Sequence, residues 1–345
     1  MEIRRREFAA LLIGTAASLT LNGPASAQST QDDPLPSWNE GAAKDSILKF
    51  VQDTTQKSSP HYVPPEERIA SFDQDGTLWV EHPIYTQVMF CLESVPALEV
   101  EQPELKNREP FKTVLSGDRA KIAKFSMEDV FEIVLAVQSG MTVEVFRDKA
   151  LKWLDTARDT RWNRPYTDLV YLPMLEVLHY LRDNGYTTFI ATGGSSGFVR
   201  EYSHKVYGIP PHQVAGTAQP VMFGFNKKHE PTLTREPKLV LNNLEAGKIE
   251  NFWLMYGQRP QAAFGNSSTD DQQMLEYVKA GGPACLSVAV LHDDPVREYA
   301  YGPATGLPNT SVGTFSQEMY DMAMEQKWTV VSMKNDWKRI FTFSE

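Results

Sequence analysis

Two cysteines, Cys91 and Cys285, are all that 345 residues carry, too few for a disulfide scaffold or a thiolate zinc site. At most one bridge could form, and two buried free thiols are expected instead. Basic side chains are in deficit, 34 Lys and Arg against 44 Asp and Glu, for a formal net charge of −10. That argues against a nucleic-acid partner, whose phosphates call for clustered Lys and Arg. Beyond residue 27 no apolar run is long enough to span a bilayer. Internal repeats and low-complexity tracts are also missing. What the chain does have is core-forming material. With 41% hydrophobic and 11% aromatic residues, it can build one large domain or a core domain with an insertion.

Residues 1–27 combine Arg4-Arg5-Arg6, the apolar stretch Ala9–Leu21 and the small-x-small triplet Ala25-Ser26-Ala27. This is the layout of a secretory signal peptide. Arg5-Arg6-x-Phe8 also resembles a bacterial twin-arginine export signal. A periplasmic or secreted protein with no stable membrane insertion is the expectation.

Apolar spacing predicts a helix over Ala42–Thr54 and short buried strands at Arg68–Phe72, Thr187–Ala191, Ala262–Phe264 and Cys285–Leu291. More than a hundred residues separate the first two strands, and Met127–Gln138 and Val143–Asp155 there show helical spacing. The expected class is α/β, a doubly wound, Rossmann-like parallel sheet over 28–79 and 180–345 with an α-helical cap inserted at 80–179. In such sheets ligands bind outside the carboxyl ends of the strands. Four polar clusters fall at or near that edge.

The first strand runs into Asp73-Gln74-Asp75-Gly76-Thr77. One carboxylate there can attack phosphorus while the other carries the leaving-group proton. An acidic turn is the plainer reading of the same residues. Thr192-Gly193-Gly194, after the second strand, offers a hydroxyl and unhindered N–H groups to a phosphate oxygen. Lys248 can neutralise the phosphoryl charge, with Lys238 as its competitor, although a lone lysine is usually a solvated one. Gly265-Asn266-Ser267-Ser268-Thr269-Asp270-Asp271 places two carboxylates at the head of a helix. They serve either as hard ligands for Mg²⁺ or as helix caps.

Together these clusters resemble the haloacid dehalogenase superfamily, in particular its phosphoserine-phosphatase-like branch with a helical cap. The Asp-x-Asp-Gly-Thr motif matches Asp73–Thr77, the strand-ending Ser/Thr matches Thr192, the lysine matches Lys248, and the acidic motif matches the stretch around Asp271. The resemblance implies phosphorylation of Asp73, proton transfer by Asp75, and phosphoryl binding by Thr192 and Lys248. It also implies Mg²⁺ on Asp73, the Asp75 carbonyl and a carboxylate of Asp270 or Asp271. The register of Met274-Leu275 favours Asp271 of the two. Asn266 stands where the family often has Asp, which implies weaker metal affinity.

Asp75 separates a phosphatase from a dehalogenase, which has no leaving alcohol to protonate. The expected substrate is a small phosphate ester, with a hydrolase of another bond, or a non-catalytic binding protein, as the alternatives. Gly193, Glu81, His82 and Arg164 are the substrate-binding candidates. Arg161 and Tyr166 could join them as the cap returns to the core. His292-Asp293-Asp294, after the last expected strand, reads as a cap for the following turn.

Overall fold

The computed structural model describes residues 33–344, so the signal peptide expected at 1–27 lies outside the described residues. Six strands form one parallel sheet: β1 (Ile69–Phe72), β2 (Thr187–Ser195), β3 (Val214–Thr217), β6 (Ala262–Gly265), β7 (Leu286–Leu291) and β8 (Thr329–Ser332). An antiparallel hairpin of β4 (Val221–Phe225) and β5 (Pro231–Arg235) stands apart from it. The sheet order is β3-β2-β1-β6-β7-β8, every pairing parallel. Counting sheet strands alone, this is the doubly wound order 3-2-1-4-5-6, whose reversal point opens a crevice between the first and fourth. Here those two are β1 and β6.

Both strands are buried throughout. A strand covered on both faces reads as a continuous apolar run rather than an alternating one. That explains why Ile-Ala-Ser-Phe and Ala-Ala-Phe were legible as strands. Phe72 and Phe264 stack across the pair with centroids 4.2 Å apart. Besides the hairpin strands β4 and β5, two strands of the sheet were not anticipated, the short edges β3 and β8; β3 contains a glycine and β8 is mostly half-buried, so neither shows a strong pattern.

Between β1 and β2 the chain is helical. The helix Met127–Gln138 starts at a capping box, in which Ser126 Oγ accepts from Asp129 N and Asp129 Oδ2 accepts from Ser126 N. Thr142 caps Val143–Thr156. The expected boundary at 179/180 falls inside the helix Leu172–Asp183, whose Met174, Val177, Leu178 and Leu181 are buried in the main core. The hairpin joins the helical insertion: Arg235 N donates to Met141 O and Gly140 N to Arg235 O, both at 2.9 Å. The Arg235 guanidinium is buried over Phe146 and donates to Gln138 and Gln219.

Cys91 and Cys285 are both free, Cys91 buried and Cys285 half-buried. Among the described residues no helix is long and apolar enough to cross a membrane.

Candidate active site

The loop after β1 wraps around one carbonyl: Gln74 O accepts from the N–H groups of Thr77, Leu78 and Trp79. Gly76 turns the chain with φ of 74°. A Cβ there would lie 2.2 Å from Asn266 Nδ2 and 2.3 Å from Glu81 Oε1, so both the conformation and the space call for glycine. The turn sends the two carboxylates to different neighbours. Asp73 faces Lys248, whereas Asp75 Oδ1 accepts from Trp79 Nε1 at 2.7 Å.

Lys248 lies in the first turn of the helix Ala246–Tyr256, and none of its side chain reaches solvent. Its Nζ is 2.7 Å from Asp73 Oδ1, 2.7 Å from Asp270 Oδ2 and 2.5 Å from Asp271 Oδ1. Burial opposes the ammonium, but the three carboxylates together hold its pKa well above the ordinary lysine value. Lys238 is exposed and paired with Glu236. Of the two lysines, Lys248 is the one that meets the acidic cluster.

Asp271 precedes the helix Gln272–Lys279, whose Met274 and Leu275 are buried, in the register expected. Its Oδ2 accepts from both Asn266 N and Ser267 N at 2.9 Å, so backbone and lysine consume both oxygens. Asp270 is the more exposed of the two and takes Glu245 N at 3.3 Å besides the lysine. Oxygens of Asp73, Asp270 and Asp271 lie within 4.8 Å of one another. The Asp75 carboxylate is no part of that group, which leaves its backbone carbonyl as the atom it can offer.

Charge in this pocket is unbalanced. Burial, then the charges of Asp271 and Asp270, push Asp73 well above the ordinary carboxylate value against the pull of Lys248. Burial likewise pushes Asp270 up to about 6 and Asp75 up to about 6. Three hard oxygen donors around a deficit of positive charge suit a divalent cation such as Mg²⁺.

Thr192 is brought to the same place. A Cβ on Gly193 would meet Leu244 Cδ2 at 2.5 Å and Asp270 Oδ2 at 3.0 Å, and one on Gly194 would lie 4.0 Å from Asp75 Oδ2. Thr192 Oγ1 accepts from Gly194 N at 3.0 Å. Behind them, Asn243 Nδ2 donates to Thr192 O and Thr217 Oγ1 to Gly193 O. Gln87 Oε1 accepts from Ser195 N. Asn243, Thr217 and Gln87 carried no sequence signal, because each acts on a strand end remote in the chain.

No protein-family model matches the chain, and no curated protein matches it. Solved structures do. A functionally unknown protein from Anaerococcus prevotii DSM 20548 is 13% identical with TM-score 0.50, over 76% of this chain and 88% of that one. A protein of unknown function from Bordetella pertussis Tohama I is 12% identical with TM-score 0.47, over 77% and 98%. A phosphoserine phosphohydrolase-like protein from Francisella tularensis subsp. tularensis SCHU S4 is 17% identical with TM-score 0.34, over 65% and 88%. What is shared is the fold.

Several candidates take other places. Glu81 is 1% exposed and packs between Gly76 and Gly313, its Oε1 accepting from Asn266 Nδ2 and Tyr301 OH. It is a hub inside the protein rather than an open substrate ligand. His82 stacks on Tyr301 at 3.7 Å and bonds to Val312 O; burial pulls it down to about 4, so it is neutral. Arg164 lies over Phe343 and pairs with Asp168, Arg161 holds the carbonyls of Pro295, Val296 and Glu298, and Tyr166 stacks on Trp153. Their bonds brace the surroundings of residues 159–168 and include no member of the acidic cluster. Asp294 does cap its turn, accepting from Val296 N and Arg297 N. His292 reaches the first loop instead, its Nε2 donating to Gly76 O at 2.7 Å.

Proposed function

We propose that the protein is an exported, divalent-cation-dependent phosphatase acting on small phosphate monoesters. The observation that carries this reading is the division of labour between Asp73 and Asp75. Asp73 is held by a buried lysine, while burial pushes Asp75 up to about 6 against the hydrogen bond from the Trp79 indole. A general acid needs the second environment; a nucleophile needs the first completed by a cation, because with Lys248 alone Asp73 stays well above the ordinary carboxylate value. Export rests on the sequence of residues 1–27.

In this reading an Asp73 oxygen bonds to phosphorus as the ester P–O bond breaks, and Asp75 gives its proton to the leaving alkoxide. Asp75 then takes a proton from water as that water displaces the Asp73 oxygen, releasing phosphate. Lys248 and Thr192, with the N–H groups near Gly193, hold the phosphoryl oxygens in line. Mg²⁺, held by Asp73, the Asp75 carbonyl and Asp270 or Asp271, would supply charge neutralisation and positioning.

The test is hydrolysis of p-nitrophenyl phosphate by the chain without residues 1–27. Turnover that is lost in EDTA and restored by Mg²⁺ is expected; EDTA-insensitive turnover, or none across a panel of phosphate esters, overturns the reading. The pH profile carries a second prediction. Asp75 must be protonated in the free enzyme to act as acid, so kcat/KM should fall as pH rises through about 6. Asp75→Asn should abolish that limb and lower the rate by roughly 10²–10⁴-fold. A profile that keeps the limb in this variant would assign it to another group.

A further inference from the structure

We infer that Glu81 is a positioning residue that acts through Asn266, the two forming a matched acceptor–donor pair that fixes the loop holding Asp271 beside Lys248. The activity arm of this inference rests on the phosphatase reading; the pairing itself does not.

Glu81 Oε1 receives two donors, Asn266 Nδ2 at 2.6 Å and Tyr301 OH at 2.8 Å. Once the amide nitrogen faces a carboxylate, the orientation of the Asn266 side chain is decided. Its Oδ1 must then point the other way, where Thr77 Oγ1 donates to it at 3.2 Å. Asn266 N, meanwhile, donates to Asp271 Oδ2. The residue therefore links the loop after β1 to the carboxylate beside Lys248. It presents a neutral oxygen toward the first loop, and Glu81, whose carboxyl burial pushes up to about 8, stands one hydrogen bond behind it.

Space tightens the arrangement. A Cβ on Gly313 would lie 1.7 Å from Glu81 Oε1, and one on Gly76 would lie 2.3 Å from it. Both glycines have positive φ, 64° and 74°. Four segments of chain, around residues 76, 266, 301 and 313, converge on one carboxyl group. With Glu81 ionised, a carboxylate introduced at position 266 would meet it acceptor to acceptor. Partners in this outer position orient metal-facing groups, and their loss typically weakens metal binding by about 10–100-fold.

Four proteins test this: the unaltered chain, Glu81→Gln, Asn266→Asp, and the double variant, measured at pH 9, where Glu81 is ionised. Asn266→Asp alone should lower the unfolding midpoint of the metal-free protein by about 5 °C or more, through two facing buried carboxylates. Glu81→Gln alone should weaken Mg²⁺ binding, read by calorimetry, about ten-fold. The double variant reverses the polarity of the same hydrogen bond, since the amide introduced at position 81 would donate to the carboxylate introduced at position 266. It should recover most of the lost midpoint and bind Mg²⁺ within about three-fold of the unaltered chain or more tightly. Strictly additive losses in the double variant would overturn the pairing, as would an Asn266→Asp protein of unchanged midpoint. Recovery of the midpoint at pH 9, with no turnover in any of the four at pH 5 to 6, where Asp75 keeps its proton, would support the pairing while overturning the phosphatase reading.

Discussion

Asp73→Asn is expected to abolish phosphate-ester hydrolysis while making the metal-free protein more stable. The loss follows from the proposed role: with no nucleophilic carboxylate, turnover should drop on the order of 10⁴-fold or more. The gain follows from the charge count. Asp73, Asp270 and Asp271 all bond to Lys248, so removing one carboxylate reduces repulsion among those that remain. The pKa of Asp73 is raised in the folded chain by burial and by Asp271 and Asp270. Its proton therefore favours folding below the ordinary carboxylate range, and this contribution is lost as pH rises through the raised value. Asn mimics the protonated form at every pH, so the advantage of the variant should widen from pH 5 to pH 8. A rise of about 2–5 °C in the unfolding midpoint at pH 8 in EDTA is the expected size. Unimpaired turnover would count against the nucleophile assignment, and a fall in midpoint against the charge imbalance.

Lys248→Met should do the opposite to stability and the same to activity. Methionine fills similar volume without charge, leaving three carboxylates around a site with no ammonium. Breaking a buried ion pair by removing one partner costs about 3–5 kcal/mol, and Lys248 is the one cation bonded to these carboxylates among the described residues. The defect should deepen as pH rises, because deprotonation of Asp73 and Asp270 then has no counter-charge, and should shrink toward pH 5. Lys238→Met is the control: exposed and paired only with Glu236, it should shift stability by less than about 0.5 kcal/mol. Urea unfolding of the three proteins at pH 5 and pH 8 separates the cases. Equal stability of the two lysine variants at pH 8 would show that the buried cluster is not held together by charge.

These two substitutions also mark how much of the site was legible in the sequence. Asp73 and Asp75 could be found because a buried strand, a glycine turn and two carboxylates lie in one short stretch, so the signal is local. Thr192 stands out in a similar way within the run Thr187–Ser195, and Asp271 through the register of Met274-Leu275 in the helix that follows it. Lys248 was a weak candidate because nothing around it in the chain distinguishes it from Lys238. Its role comes from contact with Asp73, 175 residues away. Arg161 and Arg164 were reasonable guesses from charge and position, yet their guanidinium groups settle on backbone carbonyls and aromatic rings.

Strand burial, helix starts and the carboxylate spacing are properties of a few neighbouring residues, and apolar periodicity and turn chemistry were enough to determine them. The sheet order, the enclosure of Lys248, the His292 bond to Gly76 and the meeting of Glu81 with Asn266 were decided only in three dimensions. The three side-chain meetings among these join residues more than 150 positions apart. Such pairs leave no periodic trace in one sequence, because their energy depends on desolvation and on donors meeting acceptors, and both exist only after the chain has packed.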